Sequence, residues 1–116
     1  MRLQVELHEE ANVRVLRCLG SIVFGAEADY LHSRIAELLD QCCCLILNLA
    51  QVHKIDAGGL GLLAWACGEL AARRRPAKLV CSSRRVHDLL SLSQLVRSME
   101  IYHTEAAAWE SCIQAA

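Results

Sequence analysis

Apolar residues return at every second position early in the chain and at every third or fourth position soon after. Residues 3–6 and 13–19 read as two strands around the polar turn Glu9-Glu10-Ala11-Asn12, with Val13, Val15, Arg17 and Leu19 alternating against Arg14, Leu16 and Cys18. Ile22-Val23-Phe24 adds a short edge piece after Gly20. Leu31, Ile35, Leu38 and Leu39 fall at helical spacing in a helix predicted over 26–39. The unbroken apolar run 43–49 suits a strand covered on both faces. A second helix is predicted from Ala57 to about Arg74, because the residue ahead of Pro76 is pushed away from helical dihedrals. Leu79-Val80-Cys81 reads as a short strand, and Ser82 or Ser83 as the cap of a third helix through Leu92. Residues 98–102 read as a last strand, and Thr104 caps a final helix holding Trp109 and Ile113. Strand and helix alternating in this order predict an α/β fold, a mixed sheet of four to five strands with about four helices packed on it, in a single domain over 1–116.

Composition narrows the picture. With 116 residues, 54% of them hydrophobic, the chain has the material for one core. Only 4% are aromatic, so that core must come from Leu, Ile, Val, Ala and Cys, which suits helices on a sheet. A net charge of −1 gives no general attraction to nucleic acid or to an anionic membrane, and neither is expected as a partner. The charge is uneven, however. Residues 73–85 carry Arg73, Arg74, Arg75, Lys78, Arg84 and Arg85 and no acid, which reads either as a solvated helix end or as a basic rim facing a partner.

Seven cysteines lack the spacing of a disulfide framework, and the sequence predicts free thiols, as in a reducing cytosol. At least half of Cys42-Cys43-Cys44 should enter the core as small hydrophobes. No Cys/His grouping has zinc-ligand spacing, so no metal or other cofactor is expected. No signal-like segment opens the chain, and no apolar run nears the ~20 residues of a membrane span, which predicts a soluble, cytoplasmic protein.

The most informative stretch runs from Leu45-Ile46-Leu47-Asn48-Leu49 into Ile55-Asp56-Ala57-Gly58-Gly59-Leu60-Gly61, a strand, a loop and an abrupt helix start. Asp56 can accept from backbone N–H groups one turn into the helix. Ala57, Gly58 and Gly59 leave those amides sterically open, so the corner reads either as an anion site, nucleotide phosphate included, or as a place where strand and helix pack closely. At 100° per residue, Leu60, Leu63, Ala64, Cys67, Leu70 and Ala71 share the face expected to cover the sheet. Leu62 and Trp65 then flank Glu69 on the outer side, either covered by neighbouring helices or presented to a partner with Trp65 as anchor.

Leu47-Asn48-Leu49, Asp56-Ala57-Gly58-Gly59-Leu60-Gly61, Lys78-Leu79-Val80-Cys81 and the segment from Val86 to Leu95 together resemble the STAS domain of bacterial anti-sigma-factor antagonists and sulfate-transporter tails. The resemblance covers nearly the whole chain in order. It implies a corner reading Asp-Ser-Ser-Gly-Leu-Gly, whose first serine is phosphorylated by an anti-sigma factor that is itself a serine kinase. The unphosphorylated antagonist binds that kinase, and the phosphate weakens the complex. By position, Ala57 takes the phosphoacceptor site and Gly58 the second serine, so neither can be phosphorylated, and Gln94 replaces a usual glycine. Asp56, Gly59, Leu60 and Gly61 match.

The resemblance implies a non-phosphorylatable regulator in a partner-switching pathway of transcription regulation. Its partner surface would be the loop with His53 and Lys54, the corner Asp56, Ala57, Gly58 and Gly59, and the helix side bearing Leu62, Trp65 and Glu69. The alternative it implies is a cytoplasmic accessory subunit docking on the ATPase of an ABC-type lipid transporter. A homodimer is left open. An enzyme is not expected: His8, His32, His53, His87 and His103 are scattered, and only Cys81 with His87, or His87 with Asp88, could be proposed as a dyad.

Overall fold

A computed structural model describes residues 2–41, 44–75, 77–92 and 99–114. Strands β1 (Leu3–Glu10) and β2 (Val13–Ile22) form the expected antiparallel hairpin, reversing at Ala11, whose φ of 51° is left-handed. Helix α1 (Ala26–Leu38) leads into β3 (Cys44–Ile55), α2 (Ala57–Ala72), β4 (Ala77–Val80), α3 (Arg84–Leu92), β5 (Met99–Tyr102) and α4 (Glu105–Gln114). The five strands lie in the order β1-β2-β3-β4-β5, with β2 to β5 parallel. Sheet and four helices bear out the predicted α/β architecture. Ser83 Oγ accepts from the Val86 N–H and Thr104 Oγ1 from the Ala107 N–H, the two short-range caps that mark the starts of α3 and α4.

Two elements depart from expectation. β2 does not end at Leu19 but continues through Gly20 to Ile22, absorbing the start of the supposed edge piece. That length offers β3 a partner far beyond Leu49, and the β2–β3 register runs on to Ile22 opposite Ile55. Residues 51–55, expected as loop because they are polar, are therefore strand, with Val52 and Ile55 buried and Gln51, His53 and Lys54 exposed. Cross-strand pairing overrode local polarity.

Alternation in β3 divides the interior. Leu45, Leu47 and Leu49 enter the larger core with α1, α2 and α3, while Cys44 and Ile46 face the smaller one with Val13, Val15, Val80 and α4's Ala108 and Cys112. α4 is held to the sheet by more than apolar contact. Glu105 accepts from Arg17 Nε and Nη2 at 2.9 and 2.8 Å and from Asn48 Nδ2 at 2.9 Å. Those donors hold its carboxyl far below the usual range, at about 2, the Arg17 bonds contributing most.

A disulfide joins Cys44 to Cys112, which corrects the expectation of free thiols throughout. Nothing in the spacing could show it, because the sheet brings together residues 68 positions apart. Cys18, Cys67 and Cys81 are free and buried, and Cys42 and Cys43 lie outside the described residues. Among the described residues no helix is long and apolar enough to cross a membrane.

The second correction concerns α2. Its buried residues are Gly59, Leu62, Leu63, Ala66, Cys67 and Leu70, so the helix is rotated by about one residue from the predicted face. Leu62, expected outside, is core at 6% exposure. Trp65 is half-buried, packed against the core and stacked on the His32 ring of α1, centroids 3.9 Å apart. The reason is compositional: Glu69 is the one charged residue among the sixteen of α2, so apolar periodicity cannot choose a face.

Candidate functional site

The corner between β3 and α2 is built around one carboxylate. Asp56 stands in extended conformation ahead of α2, and its Oδ1 accepts the Gly59 N–H at 2.9 Å, the N-cap anticipated from the sequence. The same carboxylate also reaches across to the β2–α1 loop, where the Phe24 N–H lies 3.1 Å from Oδ1 and 3.0 Å from Oδ2. Asp56 thus clasps two loops, and the Gly59 and Phe24 amides hold its carboxyl below the ordinary aspartate range.

This occupancy bears on the anion-site reading. The Gly59 amide an incoming phosphate would need already donates to a carboxylate, and an anion would meet that negative charge. Close packing is the better account of the glycines. A Cβ at Gly59 would sit 2.2 Å from the Ile22 carbonyl oxygen, and one at Gly58 would sit 2.7 Å from Phe24 Cβ. Ala57, at the first helical position, is exposed.

Phe24 is the residue that sequence reasoning missed. Read as part of a strand, it is instead 83% exposed beside the corner. A signal existed: it is the sole phenylalanine of the chain and precedes a glycine. An aromatic ring held in solvent by a backbone clasp is a feature of interaction surfaces rather than of cores.

The other predicted site residues divide. His53 and Lys54 are exposed near the C-terminal end of β3 rather than in a loop, with His53 Nε2 3.3 Å from Ser21 Oγ. They adjoin Asp56, Ala57, Gly58 and Gly59. Glu69 lies three turns along α2, where it pairs with Arg73 at 3.9 Å, and Leu62 leaves the surface altogether. The basic stretch is not one patch. Arg73 bonds Asp40 at 2.8 Å, Arg75 bonds the Leu39 carbonyl at 2.7 Å, and Lys78 is buried against Glu100 at 2.8 Å. Arg84 and Arg85 remain exposed at the start of α3. Gln94 and Leu95 lie outside the described residues.

Among the described residues, neither proposed dyad has a hydrogen bond between its members. Cys81 Sγ donates to the Ser83 carbonyl at 3.4 Å, and burial pushes its thiol pKa up, away from the nucleophilic thiolate. His87 Nδ1 lies 3.8 Å from Asp88, beyond hydrogen-bond reach.

Comparison with known proteins agrees with this geometry. The STAS domain family matches residues 4–108. The anti-sigma F factor antagonist of Paenibacillus polymyxa is 28% identical over 111 residues, 93% of each chain. Among solved structures, an anti-sigma factor antagonist from Mycobacterium paratuberculosis superimposes with a TM-score of 0.83 at 18% identity, covering 96% of this chain and 94% of that one. The phosphorylated form of the Bacillus cell fate determinant SpoIIAA does so with a TM-score of 0.73 at 20% identity, covering 93% and 98%. The chain belongs to the STAS domain family.

Proposed function

We propose that this domain is a protein-interaction regulator that binds a serine-kinase-type anti-sigma partner through the Asp56 corner and is not released by phosphorylation there. One observation carries the reading: the corner is fully assembled, with its Asp56 cap and close-packed glycines, yet the exposed first helical residue is Ala57, with no hydroxyl. The docking surface comprises His53, Lys54, Ala57, Gly58 and Phe24, with the exposed edge of Trp65 and Glu69 further along α2. Asp56 and Gly59 shape it from beneath. Leu62 has no part in it. A phosphate on a serine in the Ala57 position would add about two negative charges to that surface. Without the acceptor, the regulator stays in its binding form and is controlled by abundance or by modification elsewhere. No feature of the corner favours the transporter-subunit alternative.

The test combines the purified chain with serine-kinase-type anti-sigma factors from its own cell, with and without ATP. Binding should be unaffected by ATP, and residues 55–61 should stay unmodified. Ala57→Ser should make binding ATP-sensitive, and Ala57→Glu should weaken it at least about tenfold, on the order of 1.4 kcal/mol. Phosphate on Ser82, Ser83 or Thr104 of the unaltered chain that weakens the complex would show the switch displaced rather than lost. Full affinity in Ala57→Glu would sink the corner as the docking site.

A further inference from the structure

β3 is three times as long as its neighbour β4, twelve residues against four, and their register ends at Asn48 opposite Val80. Beyond Asn48 the strand has partners in β2 alone among the described residues, at Gln51, Val52, Lys54 and Ile55. Its other edge faces α3 across an open groove of about 360 Å³ lined by His53, Lys54, Ile55, Arg85, Leu89 and Leu92, with Val86 and Asp88 alongside. Consecutive strand residues point to opposite faces. The register shift at His53 interrupts that alternation, so His53 and Lys54 are exposed together while Val52 and Ile55 are buried, and the groove meets His53, Lys54 and Ile55 side by side at the end of β3 that extends past β4.

The opposite wall is equally regular. Arg85, Asp88, Leu89 and Leu92 fall at i, i+3, i+4 and i+7, one side of a helix. Leu92 is 83% exposed, whereas Ile55 and Val86 are buried and form the floor. The charges are unbalanced. Asp88 is paired with Arg84 at 3.9 Å, while Lys54 and Arg85 have no ion pair among the described residues. A strand edge with no partner strand among the described residues, an apolar floor and two cations outside any ion pair there together fit one kind of occupant.

We infer that the β3–α3 groove takes an extended segment of a partner protein, alternating acidic and apolar side chains, which adds to the free edge of β3 as a further strand. Main-chain pairing supplies affinity, the apolar side chains fill the floor over Ile55 and Val86, and the acidic ones meet Lys54 and Arg85. This rests on the reading of the domain as a protein-binding module; the groove shares His53 and Lys54 with the Ala57 surface and extends from there to Arg85, Leu89 and Leu92 of α3. It extends the contact past the corner, so a partner could keep hold of the module without any switchable residue.

The experiment titrates the ¹⁵N-labelled full chain with a capped peptide alternating Glu with Val and Ile. Two controls accompany it: the same peptide with Lys for Glu, and one N-methylated on alternate amides so that it cannot pair as a strand. Shifts confined to residues 52–56 and 85–92 are expected, with affinity at least tenfold weaker for each control. Lys54→Glu and Arg85→Glu, both at exposed positions, should each weaken the parent peptide severalfold. Absence of shifts there at millimolar peptide overturns the inference. So does undiminished binding of the N-methylated peptide, which would mean side-chain docking of a helix instead. Full affinity of Arg85→Glu, which lies outside the corner surface, for the kinase-type partner, with affinity lost in Ala57→Glu, would remove the groove and leave the corner standing. The reverse pattern would remove the corner and leave the groove.

Discussion

Gly59 and Gly61 sit two residues apart on one helix and have opposite requirements. A Cβ on Gly59 would lie 2.2 Å from a backbone oxygen of β2, whereas nothing lies within 4 Å of one on Gly61. The first clash is with main chain, which cannot step aside without moving the β2–α1 junction. Gly59→Ala should therefore destabilise the fold by about 2–3 kcal/mol. Gly61→Ala should be neutral or stabilising by up to about 1 kcal/mol, from higher helix propensity. Urea denaturation of the two variants measures the difference, and equal midpoints would contradict the close packing at the corner. The Asp56 cap was legible in the sequence because it links residues three apart. Its second bond, to the Phe24 amide, was not, since it joins loops 32 residues apart.

At the scale of elements, α2 and α4 illustrate two ways of fixing a helix. α2 is apolar nearly all round, so its rotation is set by what it meets: Gly59 against β2, Leu62 and Leu63 in the core, Trp65 against His32. Leu62→Ala should cost about 2–4 kcal/mol as a core truncation. An exposed docking leucine would cost under about 0.5 kcal/mol, so chemical denaturation discriminates the two directly. α4 is fixed by charge instead. Replacing Glu105 by Gln should cost about 1 kcal/mol, discounted for the partial exposure of the pair. The carboxyl is held at about 2 in the folded chain against an ordinary value of 4.5. Its contribution is thus complete above about pH 4.5 and is lost as pH falls toward 2. The stability gap between the parent and Glu105→Gln should narrow over that window, and a gap constant with pH would argue against the ion pair as its source.

Across the whole molecule, the Cys44–Cys112 disulfide ties the first residue of β3 to the last helix over 68 positions. In chain-entropy terms a link of this span is worth about 4 kcal/mol. Dithiothreitol should lower stability by that amount in the parent chain and leave a Cys44→Ser, Cys112→Ser double variant unaffected. Burial pushes the Cys18 and Cys67 thiols up to about 12, so neither should react with iodoacetamide before unfolding. Alkylation of the folded, reduced chain should then stop short of both, which mass spectrometry reads directly.

Element order, helix caps and the strand-to-helix corner were set by the chain's own pattern. Each depends on hydrogen bonds or periodicity spanning a few residues, as at Ser83, Thr104 and Asp56. The tertiary structure decided what no local pattern encodes. It carried β3 through its polar end because β2 supplied partners, turned Leu62 inward because a helix with one charge has no preferred face, and brought Cys44 to Cys112. It also set Phe24 beside Asp56 and carried β3 past the end of β4. All five depend on distant segments lying side by side, which happens only once the strands have paired and the helices have packed on them.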